Sequence, residues 1–160
     1  MRIDRRMAAA MVAALTLSAG VAQAQRRETP YYASIAAQEA RMRTGPGQNY
    51  PASWLYVRRN LPVRVVAIYK DWRKVEDPGG TQGWVFSSLL SASRTAMVTA
   101  DVAELRASAS TAARVSWRAQ RGVVGKVSKC RGSWCYLDVN GRGGFVEQAK
   151  LWGVDPGETF

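Results

Sequence analysis

Apolar and polar positions alternate in short runs from residue 40 onward, the period expected of half-buried strands. Residues 61–69 read LPVRVVAIY and residues 72–77 read WRKVED, with only Lys70-Asp71 between them. The first run is β-branched and is the strongest strand in the chain; it pairs with the second as a hairpin. The turn Pro78-Gly79-Gly80 follows, and GWVF over 83–86 pairs back. Residues 87–90 then predict a single tight turn that plugs the open end. Short strands punctuated by Gly and Pro predict a small all-β barrel, not a βαβ unit.

The pattern recurs. ARMR at 40 returns as AELR at 103, LPVRV at 61 as VVGKV at 123, WRKV at 72 as WCYL at 134, and GWV at 83 as GFV at 144. The four offsets are 63, 62, 62 and 61 residues in unbroken order, which marks a divergent internal duplication. The second copy has a shorter loop over 108–116, a hairpin formed by 123–130 and 134–139, and an Asn140-Gly141 turn. Its last clear strand is 143–146, and Leu151-Trp152 packs back on the module.

Outside these runs the pattern is weaker. Residues 34–43 contain several helix formers, but alignment with 98–106 favours a strand there. The connection over 44–60 holds Gly45-Pro46-Gly47 and Tyr50-Pro51, which prevent regular pairing, until Trp54, Tyr56 and Val57 restore apolar weight. Long connections of this kind in compact domains are frequently functional, although a small barrel also needs aromatic residues as a lid. The start has Arg2, Arg5 and Arg6, an apolar run over 7–17 and a small-x-small triplet, Ala22-Gln23-Ala24. That is a secretory signal peptide cut after Ala24, too short for a membrane span. The organisation expected is a leader over 1–24, a flexible start over 25–34, a first domain over 35–95, a second over 96–154, and a tail over 155–160.

Charge adds a class of partner. Removing the leader's three Arg and one Asp from 23 basic and 12 acidic residues leaves 20 and 11, a net charge of about +9. Such a surface attracts anionic polymers, lipid headgroups, acidic proteins or nucleic acid, and export makes nucleic acid the weaker of these. The alternative is that the arginines simply solvate short strands. Two modules of this size are each near the lower limit for a self-sufficient core, so they are expected to lean on each other or on a covalent staple.

Cys130 and Cys135 flank the turn of the second hairpin. Export places them in an oxidising compartment, and strand ends bordering a turn come within disulfide reach. Free or redox-active thiols are the competing reading, but CxxC spacing is absent. The sequence has no His, which removes the usual Ser-His-Asp, Cys-His and zinc sites. Glu76-Asp77 are adjacent, so on a strand they point to opposite faces and make a poor acid–base dyad. No phosphate loop is present. A non-catalytic protein without cofactor or metal is expected.

The run ARMRTGPGQNYP over 40–51, with WRKV at 72 and GWV at 83, resembles the signature of bacterial SH3-like domains. The likeness is strong over 36–90 and weaker over 100–152, where AELRASAS lacks the Gly-Pro-Gly and Phe145 replaces a Trp. The whole, with its LWGVDPGE ending over 151–158, is similar to exported tandem SH3-like proteins of Gram-negative envelopes. The resemblance implies two five-stranded, partly open barrels, a non-catalytic role, and peptidoglycan or an envelope protein as partner. A monomer in the periplasm or outside the cell is expected; a spacer subunit of an envelope complex and a non-specific anionic-polymer binder are the alternatives.

In a small barrel the long first loop and the turn after the best strand lie side by side and leave a groove. Here that groove is expected to be lined by Tyr50, Trp54, Tyr69 and Trp72, with Arg41, Arg43, Arg73 and Lys74 as rim charges. Aromatic residues and Arg are the types that most often carry binding energy. Trp72 is the central candidate, as an exposed contact. Trp84 is expected in the core, and for Tyr50 and Trp54 both roles stand.

Overall fold

The structure is a computed structural model that describes residues 27–160, so the expected leader lies outside the described residues. The strongest strand of the pattern forms as β4 (Pro62–Tyr69) and turns through Lys70-Asp71 into β5 (Trp72–Glu76). Around this hairpin assemble β1 (Tyr31–Ile35), β2 (Ala40–Arg43), β3 (Ala52–Tyr56), β6 (Gln82–Phe86) and β7 (Leu90–Ser91). Their order across the antiparallel sheet is β3-β2-β6-β5-β4-β1-β7. A single 3-10 turn, Ser87–Leu89, precedes β7, and Leu89 and Leu90 pack against the core as the expected plug.

The second module repeats this plan with β8 (Thr95–Val98), β9 (Val102–Arg106), β10 (Val115–Gln120) and β11 (Val124–Arg131). It is completed by β12 (Trp134–Val139), β13 (Arg142–Glu147) and β14 (Leu151–Trp152), ordered β10-β9-β13-β12-β11-β8-β14. Each strand therefore has its counterpart seven places on. Even the irregularities match: β4 shifts register against β5 between Val65 and Ala67, and β11 against β12 between Val127 and Lys129. A bulge of this kind bends its strand, which helps a short sheet curl into a barrel.

The cores correspond residue by residue. Ile35, Met42, Val65, Val75 and Val85 are buried in the first module, and Val98, Leu105, Val127, Leu137 and Val146 in the second. One pair differs in kind. Tyr56 Oη donates to the Asp77 carboxylate at 3.0 Å in the first core, and the residues at the repeat's spacing are Ala119 and Val139. Losing both partners together avoids leaving a buried polar group unpaired.

Three expectations are corrected. The strand expected over 34–43 is two strands, because the chain bends at 36–39 to pass from the β4 side of the sheet to the β6 side. The flexible start ends earlier than position 34. β1 begins at Tyr31, where Ala33 and Ile35 enter the core and Tyr32 turns outward against Trp152, ring centroids 5.4 Å apart. Trp84 is not in the core: in β6 the buried positions are Gly83 and Val85, so Trp84 and Phe86 lie on the outer face. The tail is tied down, with Phe160 exchanging both backbone hydrogen bonds with Cys130, at 3.0 and 3.2 Å.

The two modules also lean on each other. Arg94 donates both guanidinium ends to Glu158, at 2.6 and 2.9 Å, and its cation lies over the rings of Phe160 and Tyr32 at 4.8 and 5.5 Å. Arg58 donates across the junction to the Gly122 carbonyl at 2.8 Å. Gly153 has φ +114°, and a Cβ there would meet the Thr95 carbonyl oxygen at 2.5 Å and Pro62 Cβ at 3.2 Å. Only glycine permits that approach.

Candidate functional site

Strand alternation divides β5 into two faces. Val75 is buried in the core and Arg73 shares its side, whereas Trp72 and Lys74 point outward. The register across to β6 sets Trp72 opposite Phe86 and Lys74 opposite Trp84, and Arg43 of β2 stands opposite Trp84 on its other flank. Arg41 lies two residues before Arg43 and therefore on the same outer face. Tyr69 is the partner of Trp72 across the hairpin. The outer face of the first module is thus a continuous stripe of aromatic and basic side chains.

A cleft of about 460 Å³ opens at one end of this stripe. It is lined by Arg41, Arg43, Gln48, Trp72, Phe86 and Leu89, and Glu39 supplies the carboxylate of the lining. Trp72 is only 9% exposed, because the Phe86 ring meets it edge-on with centroids 5.3 Å apart. It is the floor of the cleft more than a free contact. Arg43 spends one nitrogen on the loop, donating to the Tyr50 carbonyl at 2.7 Å, and Thr44 N–H closes the same loop onto Pro51 at 3.1 Å. The Tyr50 ring lies flush on Gly45, where a Cβ would stand 2.3 Å from it. The Gly-Pro-Gly run therefore folds the loop over its own tyrosine.

The sequence-predicted residues fall into two groups. Arg41, Arg43 and Trp72 line the cleft, and Lys74 and Tyr69, the latter 50% exposed, extend the same face beside it. Tyr50, Trp54 and Arg73 do not line it. Tyr50 is committed to its loop, and Trp54, 54% exposed, sits on β3 opposite Met42, on the side of the sheet that carries the core. Arg73 faces another cavity and donates to the carbonyls of Lys70 and Trp72. Phe86, Gln48 and Leu89 were missed. Phe86 was within reach, since in GWVF the small Gly83 and the Val85 turn inward and force Trp84 and Phe86 out.

Asp77, singled out as half of an acidic pair, has a structural occupation. Its carboxylate accepts from Gly79 N–H and Thr81 N–H, both at 2.9 Å, and from the Tyr56 hydroxyl. Burial, reinforced by that carboxylate, pushes the Tyr56 phenol far above its ordinary value. Glu76 points the other way and accepts from Gln82 at 2.7 Å.

The equivalent face of the second module is chemically closed. Glu104 stands in the place of Arg41 and pairs with both Arg106 and Arg118. The Arg118 hydrogen bond, helped by both guanidinium charges, holds the Glu104 carboxyl below its ordinary value. Glu147 replaces Phe86 and pairs with Lys150 at 3.3 Å. Tyr136 and Phe145 pack edge-to-face under the Lys129 ammonium, which lies 5.7 and 5.2 Å from their centroids. Among the described residues Arg41, Arg43 and Lys74 of the first module form no ion pair.

Two small sheets of identical strand order, each closed by one 3-10 turn, define a tandem of SH3-like barrels. The chain belongs to the bacterial SH3 domain family, which matches residues 36–92 and again 99–153. No curated protein matches the chain. Similar solved structures include NlpC2 from Trichomonas vaginalis, at 10% identity and TM-score 0.36, covering 79% of this chain and 49% of that one. NlpC1 from Trichomonas vaginalis has 9% identity and TM-score 0.35, with coverages of 78% and 46%. An NlpC/P60 family protein from Bacillus cereus has 15% identity and TM-score 0.35, with coverages of 76% and 55%. The chain spans about half the length of these structures.

Proposed function

We propose that the chain is a non-catalytic binding module of the bacterial envelope, exported to the periplasm or beyond, that recognises a cell-wall or envelope-protein ligand through its first barrel. The observation that carries this is the contrast between the two outer faces. The first presents Trp72 and Phe86 beside Arg41 and Lys74, which form no ion pair among the described residues, while the second spends its charges internally on Glu104 and Glu147. Aromatic surface with available Arg is the composition of energetic binding centres, whereas satisfied ion pairs offer a ligand little. Export is supported by the leader pattern and by the Cys130–Cys135 bond, which suits an oxidising compartment.

The fixed junction between the modules, built on Tyr32, Trp152, Arg94 and Arg58, favours a second reading, a rigid spacer subunit of an envelope complex. Titration of the protein against purified wall fragments at low and high salt separates the readings. Binding that survives high salt supports recognition through the cleft. Binding that vanishes with salt leaves only attraction of a basic protein to anionic polymer. Absence of wall binding, with one envelope protein co-purifying even after Arg41→Glu/Lys74→Glu, supports the spacer.

A further inference from the structure

The duplication places the same barrel end twice in one molecule, once covered and once open. In the second module β8 covers β11 only from Val124 to Lys126; beyond it Val127 N–H donates to the Arg94 carbonyl at 3.0 Å, and the end of the edge at Cys130 is taken by the chain's own last residue. Cys130 and Phe160 exchange both backbone hydrogen bonds. The Gln148 side chain accepts from Gly157 N–H and donates to the Glu158 carbonyl, both at 2.8 Å, and the Glu158 carboxylate is held by Arg94. The acidic segment DPGETF over 155–160 turns at Pro156-Gly157, where Glu158 N–H donates to the Asp155 carbonyl at 3.0 Å, and its last residues then run along the edge to complete that end.

At the repeat's spacing Ile68 and Arg73 replace Cys130 and Cys135, and Ser87 replaces Gln148. β1 covers β4 only as far as Val65. Tyr69 and Trp72 flank the two-residue turn and make its bonded pair, so Ile68 and Arg73 form the next, non-bonded pair. The N–H and C=O of Ile68 consequently point away from β5, as those of Cys130 do, yet among the described residues nothing takes them. Beside this edge is a cavity of about 340 Å³ lined by Arg27, Tyr31, Ala33, Arg73, Ser87 and Leu90, with no carboxylate in its wall. Neither arginine forms an ion pair among the described residues, and the Arg27 guanidinium rests on the Tyr31 ring at 5.4 Å.

We propose that this open end captures an extended acidic peptide segment of a partner protein. The segment joins the free edge of β4 at Ile68 as an added strand, and Arg27 and Arg73 take its carboxylates. Main-chain pairing supplies the affinity in such strand addition, and the flanking charges select the sequence. This surface lies on the other side of β5 from the Trp72–Phe86 cleft, so it stands or falls separately from the wall-binding reading.

The test uses ¹⁵N-labelled protein covering residues 25–160 and, as probe, the octapeptide GVDPGETF copied from residues 153–160. Chemical-shift changes are expected at Ile68, Tyr69, Ser87 and Leu90, with the Ile68 amide newly protected from exchange. Arg73→Ala should weaken binding about tenfold, the loss of one charged hydrogen bond, and a probe with Asn and Gln for its Asp and Glu, which loses two carboxylates, should weaken it at least as much. Arg27→Ala, at an exposed position outside the core, keeps the test decisive if Arg73→Ala misfolds. Shifts confined to the second module, shifts centred on Trp72 and Phe86, or none at millimolar peptide would overturn the proposal. So would a concentration-dependent dimer abolished by deleting residues 155–160, which would make the occupant a second copy of this chain.

Discussion

Trp72 stands between packing and recognition. It follows a two-residue polar turn, which suggests an exposed ring, yet Phe86 covers one side and leaves it 9% exposed. Trp72→Ala should therefore cost about 3 kcal/mol in chemical denaturation, the range for removing a buried aromatic, and its loss of binding would follow from lost shape. A cost under about 1 kcal/mol would show the ring to be a free contact. Tyr56 makes a second residue-scale prediction. Its pKa is raised in the fold, so the stabilisation is full below the ordinary tyrosine value of 10.0 and is lost as pH climbs through the raised one. Ultraviolet titration should show Tyr56 ionising late, alongside Tyr32, whose value burial also raises, and Tyr56→Phe should remove one late phenol while costing about 1–2 kcal/mol. At this scale the sequence told residue types well and directions poorly. Alternation fixes a face only once one buried position is known, and in GWVF the inward positions are Gly83, which has no side chain to mark it, and Val85, whose apolar weight is outdone by the outward Trp84 and Phe86.

At the scale of elements, the second hairpin is held by a disulfide where the first has Ile68 and Arg73. Cys130 also anchors the last residues, so the covalent bond and the terminal strap share one strand end. Reduction should cost about 2 kcal/mol by loop entropy, lower the melting temperature, and release the Phe160 ring. An unchanged melting temperature would separate the bond from stability. The strap has its own pH dependence. The hydrogen bond from Arg94, opposed by partial burial, holds the Glu158 carboxyl below its ordinary value. The clasp is therefore complete above the ordinary glutamate value of about 4.3, and it is lost as pH falls through the lowered one. Phe160 ring shifts should move toward solvent-exposed values in that window, and Glu158→Gln should abolish the transition. The hairpins, turns and plug were legible because Gly, Pro and Asn-Gly mark them locally. The strap was not, since its partners Gln148, Arg94 and Cys130 are distant in sequence and DPGETF carries no periodicity.

At the scale of the molecule, the duplication was the most legible feature, because equal offsets require no knowledge of the fold. What it hid was divergence in charge: Arg41 to Glu104 and Phe86 to Glu147 are single changes that turn an open face into a neutralised one. The junction was invisible for a similar reason, as Gly153 and Tyr32 look ordinary until two barrels meet across them. The central claim, that the first barrel's outer face is the receptor, is tested most directly by moving charge without disturbing packing. Affinity for purified wall fragments is measured for Arg41→Glu/Lys74→Glu and, separately, for Arg118→Glu in the second module. The first variant should melt within about 0.5 kcal/mol of the parent, as unpaired surface substitutions do, and the second should lose somewhat more because it sets a second carboxylate opposite Glu104. The account predicts that the first variant binds at least about tenfold more weakly, a loss of about 1.4 kcal/mol, and that the second binds as the parent does. A first variant that binds as tightly as the parent would contradict it.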